Sequence, residues 1–374
     1  MVKNKVKKIL FIFGTRPEAI KCAPLILKMK RQLNSFKVLV CNTGQHKEMT
    51  DQVLNFFNIA PDYDLELMQK DQSLFDVTKK CLEKLEKVVK KIRPDILFVQ
   101  GDTTSAFIGA LAGFYERIPV AHLEAGLRTD DIYAPFPEEA NRKFVSAIAS
   151  FHFAPTQSAA RNLKRENVKS NIWVVGNTVI DALLLALKRV RKDEKTFEKK
   201  FPFIGNKNKI VLVTGHRREN FGLGFRQIAQ ALKIIASENT LIVYPVHLNP
   251  NVKKPIYQFL GKNKNIHLLP PVNYPELIWL LDKSHLVLTD SGGIQEEAPT
   301  LGKPVLVMRE VTERPEGVQE GTAKIVGTDS QKIVENVKKL LNNEKTYRQM
   351  AKARNPYGDG KASDKIIKIL KNIK

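Results

Sequence analysis

The chain has no long apolar run, little cysteine and no standard nucleotide-binding fingerprint. Its longest mostly apolar stretch, Ala106 to Tyr115, falls well short of the roughly 18 residues that mark a membrane span. Near the start, the run Ile9–Phe13 is broken by Gly14 and Arg16, too soon for the apolar region of about 7–15 residues in a secretory signal. The three cysteines, Cys22, Cys41 and Cys81, are scattered, odd in number and form no C-x-x-C pair. That excludes a disulfide framework and a zinc finger, and suits a reduced, cytoplasmic chain. Neither G-x-G-x-x-G nor G-x-x-x-x-G-K-[ST] occurs, and no His, Cys and carboxylate cluster has metal-ligand spacing. No dinucleotide cofactor and no metal are expected.

What is present is the balance of an ordinary globular protein, 43% hydrophobic and 27% charged, in 374 residues. One core usually stops growing at roughly 250–300 residues, so two domains are expected. Lys+Arg is 61 against 39 Asp+Glu, a formal net charge of +22. An excess of that size fits a polyanionic partner, an anionic small substrate or a Lys-rich surface. The bases are spread along helices such as Lys79–Lys91 and Lys332–Lys339, with no aromatic-interleaved patch, so a nucleic-acid partner is not expected.

Short apolar runs recur, each separated from the next by a helix-length segment. They are Ile9–Phe13, Lys37–Cys41, Asp95–Val99, Pro119–Leu123, Phe151–Ala154 and Ile172–Val175, then Ile210–Thr214, Leu241–Tyr244, Ile266–Leu269, Leu286–Thr289, Pro304–Met308 and Lys324–Val326. Continuous apolar strands are buried on both faces, which predicts two doubly wound, Rossmann-like α/β domains with parallel sheets. The expected boundaries are 1–178 and 179–361, and the highly charged segment Lys188–Lys209, with Pro202 and Gly205, suits a boundary loop after a helix. The terminal segment 362–374 reads as an amphipathic helix with Ile366, Ile367, Ile369 and Leu370 as its apolar positions.

In open α/β sheets, ligands lie beyond the carboxyl ends of the strands, and the polar clusters fall there. Gly14-Thr15-Arg16-Pro17-Glu18 is strand, turn and helix start, an anion site with Arg16 and Lys21 or a capped surface helix. Gly215-His216-Arg217-Arg218-Glu219 is predicted to repeat that geometry in the second half. Asp102 reads as a helix N-cap or a site carboxylate, and Glu124 as a partner of Arg128 or a site carboxylate. Glu138 opens a helix, where the dipole alone favours an acid. Asp290-Ser291-Gly292-Gly293, followed by Glu297, lets a diphosphate approach the backbone closely and offers a carboxylate to ribose hydroxyls.

FGTRPEAIK, GDTTS, HLEAGLRT, PFPEEANR, VVGNTVIDAL, VTGHRRENFG, YPVHLNPNV, LTDSGGIQEEAPTLGKPVLVMRE, TERPEGV and NPYGDGKAS together resemble UDP-N-acetylglucosamine 2-epimerases of the non-hydrolysing type, in register from about residue 8 to 370. The resemblance implies a B-type glycosyltransferase-like fold, two domains facing each other across a cleft, with helix 362–374 returning to the first domain. It implies a cytoplasmic homodimeric isomerase of polysaccharide biosynthesis that interconverts UDP-GlcNAc and UDP-ManNAc by eliminating UDP, through 2-acetamidoglucal, and re-adding it. Arg16, Lys21, His216, Ser291, Gly292, Gly293, Glu297 and Arg314 would then hold UDP, with the backbone near Val272 and Leu277 framing uracil. Asp102, Glu124, Glu138 and His216 would form the catalytic set, and Asp102 and Glu124 would also touch the sugar. Gln45 and His247 match an activator site for a second UDP-GlcNAc, where Asp71 stands in place of an expected base. The competing readings are a hydrolysing epimerase, which releases ManNAc and UDP, and a B-type glycosyltransferase.

Turnover of UDP-GlcNAc is therefore expected without added NAD or divalent metal. An assay after exhaustive chelation and desalting checks this, and activity lost and then restored by add-back would overturn it.

Overall fold

Ile9, Leu10, Phe11, Ile12 and Phe13 are all fully buried, as a strand covered on both faces requires. Each short apolar run read above as a strand becomes one in the computed structural model, which describes residues 5–69, 72–205 and 208–373. The chain divides into unit 1, Met1–Ala182 with Tyr357–Lys374, and unit 2, Leu183–Pro356.

Unit 1 contains β1 (Lys7–Phe13), β2 (Phe36–Asn42), β3 (Tyr63–Asp64), β4 (Ile96–Gln100), β5 (Val120–Leu123), β6 (Phe151–Ala154) and β7 (Ile172–Val174). Its sheet is ordered β3-β2-β1-β4-β5-β6-β7 and is parallel throughout. Phe11 on β1 is in register with Phe98 on β4, and their rings stack with centroids 4.8 Å apart. On one face the helices Leu74–Ile92 and Thr104–Tyr115 close the core through Leu85, Val89, Ile108 and Ala112. The edge strand β3 is two residues long and has no apolar run to announce it.

Unit 2 contains β8 (Lys209–Thr214), β9 (Thr240–Pro245), β10 (Ile266–Leu269), β11 (Leu286–Thr289), β12 (Val305–Val307) and β13 (Ala323–Ile325), ordered β10-β9-β8-β11-β12-β13. All its pairings are parallel. Its core joins Val211, Val213, Phe225, Leu232, Tyr244, Ile256 and Leu288. The sheet order reverses between β1 and β4 in unit 1 and between β8 and β11 in unit 2. Those two switch points are where a doubly wound sheet opens a crevice for ligands. Among the described residues no helix is long and apolar enough to cross a membrane.

The terminal helix Ala362–Asn372 belongs to unit 1 and packs on the helix Arg16–Lys30, with Ile366, Ile367 and Leu370 buried. Its first amides are satisfied from a distance. Asp181 Oδ2 accepts from Ala362 N at 3.1 Å and Asp181 Oδ1 from Ser363 N at 2.9 Å. Burial pushes the Asp181 carboxyl up, although these hydrogen bonds pull it down. Just before the helix, Asn177 N donates to Tyr357 O at 2.6 Å. Asp181→Ala is expected to leave two buried helix-start amides unpaired and cost about 1 kcal/mol or somewhat more. Chemical denaturation would measure the loss, and hydrogen exchange should accelerate first in residues 362–372.

Candidate active site

Unit 1 places Arg16, Lys21, Gln45, Asp102, Glu124 and Glu138 at or just beyond the carboxyl edge of its sheet. The turn after β1 is closed by Glu18, which is fully buried. Its Oε2 accepts from Gly14 N at 3.0 Å and Thr15 N at 2.8 Å, while its Oε1 accepts from Thr103 Oγ1 at 2.7 Å. Burial pushes this carboxyl up, and the hydrogen bonds from Thr103, Gly14 and Thr15 work against that shift. The predicted anion site thus spends two of its amides on an internal carboxylate, while Arg16 is the first residue of the helix. Gln45 sits above the same turn, its Oε1 accepting from Ser105 Oγ at 2.8 Å.

The three sequence-predicted carboxylates are held in three different ways. Glu124, in a left-handed conformation with φ of 63°, receives Lys21 Nζ at 2.5 Å, Asn177 Nδ2 at 3.0 Å and the Gln100 side-chain amide. Of the two readings of Glu124, the pairing with Arg128 does not form. Arg128 instead clasps Glu166 through Nε at 2.7 Å and Nη2 at 2.5 Å, because Glu124 is turned toward Lys21. Asp102 pairs with Arg142, and its carbonyl accepts from Asn141 Nδ2 at 3.0 Å. Nor is Asp102 the N-cap of the following helix. Thr103 takes that place, its Oγ1 accepting from Ala106 N at 3.0 Å. Glu138 is the first residue of the helix Glu138–Ile148, and its buried Oε2 meets no hydrogen-bond partner among the described residues. A carboxylate saturated by donors is a poor proton acceptor, whereas one with an unpartnered oxygen is ready to take one.

Unit 2 places His216, His247, Val272, Leu277, Ser291, Gly292, Gly293, Glu297 and Arg314 along its own carboxyl edge. The Gly215–Glu219 segment does not repeat the helix start of unit 1. It runs through a 3₁₀ turn, Arg218–Asn220, and the helix begins only at Leu223. Asp290 is the reason. This fully buried carboxylate accepts at Oδ2 from His216 N at 2.8 Å and Arg217 N at 2.9 Å, and from Asn220 Nδ2 at 3.2 Å. Its Oδ1 lies 3.2 Å from His216 Nδ1. Burial alone would push Asp290 up, but His216 and the two amides hold it below the usual carboxylate range. The ring of His216 faces that of His247, with centroids 5.7 Å apart.

Gly292 and Gly293 begin a short helix after Ser291, and neither has a left-handed φ. A Cβ on Gly292 would come no closer than 3.7 Å to Arg314, and one on Gly293 no closer than 3.9 Å to any neighbour. Nothing within the unit therefore demands glycine at either position, and what remains is room for a group that must approach the backbone. Arg314 stands over Gly292 and pairs with the buried Glu296. Tyr274 OH donates to Glu297 Oε1 at 3.4 Å, which ties the ribose candidate to the helix Tyr274–Lys283 that carries Leu277. Val272 is half-buried in the loop that precedes this helix. Asp71 lies outside the described residues.

Sequence reasoning missed Glu18 and Asp290 as the groups that shape both turns. The signal for Glu18 was local, a Thr-x-x-Glu capping box, but Asp290 acts on amides 74 positions away. His152 and His122, in register on β6 and β5, form a buried pair. His122 Nε2 donates to Gly101 O at 2.7 Å, directly before Asp102.

Burial pushes His122 down to about 3 and His152 down to about 4. Both histidines are thus harder to protonate when folded than when unfolded. Their contribution is complete above the ordinary histidine pKa of about 6.5 and is lost as pH falls from there through about 3. The urea midpoint of the protein is expected to fall between pH 6.5 and 4.5, and to fall less steeply in a His122→Gln, His152→Gln variant. Identical slopes for the two proteins would contradict this.

Residues 28–371 match the family model described as UDP-N-acetylglucosamine 2-epimerase. The chain is 54% identical over 375 residues to UDP-N-acetylglucosamine 2-epimerase of Campylobacter jejuni, covering 98% of this chain and 97% of that protein. It is 52% identical over 371 residues to the enzyme of the same name from Escherichia coli K12, covering 98% of each. In structure it is similar to UDP-GlcNAc 2-epimerase from Neisseria meningitidis crystallised with UDP-GlcNAc, with a TM-score of 0.91 and 48% identity over 97% of this chain and 99% of that one. With its two parallel α/β sheets and its carboxylate and glycine-rich strand ends, this chain belongs to the UDP-N-acetylglucosamine 2-epimerase family.

Proposed function

We propose that the chain is a non-hydrolysing isomerase that interconverts UDP-GlcNAc and UDP-ManNAc by eliminating and re-adding UDP. The proton on C2 is not acidic in the ground state, since C2 bears an amide nitrogen and has no carbonyl beside it. Breaking the anomeric bond first builds positive character at C1 and makes that proton removable. The C2–H electrons then form the C1–C2 double bond of 2-acetamidoglucal, and the C1–O pair leaves on the β-phosphate. Protonation on the opposite face of C2 and re-addition of UDP at C1 complete the inversion. The demands are anion stabilisation at the diphosphate and acid–base groups at C2.

The observation that carries this reading is the carboxylate set of unit 1, with Glu124 saturated by donors, Asp102 matched by Arg142 and Glu138 holding an unpartnered oxygen. Glu138 is the first choice for proton transfer at C2, and Asp102 for transfer on the other face. Arg16, Lys21, His216, Arg314 and the open backbone of Ser291, Gly292 and Gly293 would hold the diphosphate, Glu297 the ribose, and the backbone near Val272 and Leu277 the uracil. The N. meningitidis relative, crystallised with UDP-GlcNAc, supports this ligand class. Gln45 and His247 would meet a second UDP-GlcNAc as activator, and the enzyme would act as a cytoplasmic homodimer.

Incubation with UDP-GlcNAc in heavy water is expected to give UDP-ManNAc carrying deuterium at C2. Free ManNAc with UDP would favour a hydrolysing enzyme, and product without exchange would overturn elimination. Asp102→Asn, Glu124→Gln and Glu138→Gln are expected to lower turnover by about 100-fold or more while UDP affinity, measured by calorimetry, stays within a few-fold. Normal turnover in all three would remove these residues from the chemistry.

A further inference from the structure

The resemblance and the site chemistry assign a role to His216 but none to Asp290, which touches it. Asp290 is fully buried and held below the usual carboxylate range, so both its oxygens are able to accept at neutral pH. One oxygen is committed to the backbone, receiving His216 N, Arg217 N and the Asn220 amide. Asn220 is itself fixed, since its Nδ2 also donates to Met308 O at 3.1 Å. The carboxylate therefore cannot swing away. Its other oxygen is buried, has no hydrogen-bond partner among the described residues and lies 3.2 Å from His216 Nδ1. An acceptor in that place puts the imidazole proton on Nδ1, leaving Nε2 as the nitrogen that can exchange a proton elsewhere.

A neighbouring imidazole is set the opposite way. His247 Nδ1 accepts from Asn249 N at 3.1 Å, so its proton is on Nε2, and burial together with His216 pushes it down from the ordinary value. Of the two stacked rings, His216 is the one with a ring nitrogen 3.2 Å from a carboxylate. Asp290 is also the residue directly before Ser291, so the loop that would cradle the diphosphate starts from the carboxylate that orients the histidine.

We propose that Asp290 is a positioning residue that fixes His216 in its Nδ1–H tautomer, so that Nε2 is the atom turned to the diphosphate, where a proton taken from solvent on substrate binding can be handed to the β-phosphate as UDP departs. This rests on the reading that His216 meets the diphosphate. The proton count stays balanced, because the proton that His216 Nε2 gives to the departing β-phosphate is returned to Nε2 before or during re-addition.

Asp290→Asn separates the tautomer from the fold. The asparagine oxygen can still accept from the His216 and Arg217 amides, while its Nδ2 becomes a donor toward His216 Nδ1 and drives the ring proton to Nε2. The ring nitrogens are read by long-range proton–nitrogen NMR on ¹⁵N-histidine protein, with His216 assigned by its loss in His216→Gln. The free wild-type ring is expected to carry its proton on Nδ1, and the Asp290→Asn ring on Nε2. In the variant, kcat should fall by about 100-fold or more with KM within a few-fold. In a His216→Gln background, Asp290→Asn should cost nothing further, as expected when one residue acts through the other.

A wild-type ring with its proton on Nε2 overturns the proposal, and that measurement needs no variant to fold. An Asp290→Asn enzyme with normal kcat overturns it too, as does a further tenfold loss in the His216→Gln background. The tautomer is read without turnover, so it stands or falls separately from the product assay that tests epimerisation.

Discussion

One constraint recurs in both units, a buried carboxylate that bridges the two strand ends at the switch point. In unit 1, Glu18 ties the turn after β1 to Thr103 after β4. In unit 2, Asp290 ties the turn after β8 to its own position after β11. Parallel sheets leave amides unpaired where the order reverses, and burying them without acceptors would cost several kcal/mol. A carboxylate offers enough lone pairs to satisfy two amides and a side chain at once. Candidate residues of each unit sit at those turns, Arg16 at the helix start and Asp102 beside Thr103 in unit 1, and His216 beside Asp290 in unit 2.

The bases that give the chain its +22 charge serve the surface more than the site. Pairs such as Lys5 with Asp95 and Arg348 with Glu344 are solvent-exposed and weak. The pairs at the strand ends are different in kind. Lys21 with Glu124, Arg142 with Asp102 and Arg314 with Glu296 are largely buried, and each fixes a residue of the candidate set in one orientation. In such places charge acts as geometry, since removing one partner strands the other in low dielectric.

The strands were legible because a buried parallel strand writes itself as an uninterrupted apolar run, as Ile9–Phe13 does. The edge strand β3 was not, because two residues at a sheet margin bury too little to leave a pattern. At Gly292 and Gly293 the structure shows open space beside the backbone, which the sequence alone could only suggest through two adjacent glycines. The resemblance of the second turn to the first misled, because Gly-x-Arg-x-Glu recurs while the acceptor that shapes it lies in another strand's loop. Likewise, no local pattern links Glu124 to Lys21, 103 positions away. On paper Asp102 was the candidate cap. The structure chooses Thr103, whose hydroxyl reaches Ala106 N and frees Asp102 for Arg142.

The return of the terminal helix to unit 1 has a consequence for how the protein is made. Asn177 and Asp181 receive their partners, Tyr357 and the amides of Ala362 and Ser363, only after the whole of Leu183–Pro356 has been synthesised. At about 5–20 residues per second that interval lasts roughly 10–35 s on the ribosome. Throughout it, the surface of the helix Arg16–Lys30 that Ala362–Asn372 will cover stays bare. The first unit to emerge is thus the last to be finished, and unit 2 can close its own sheet while its predecessor waits as an incomplete nascent chain.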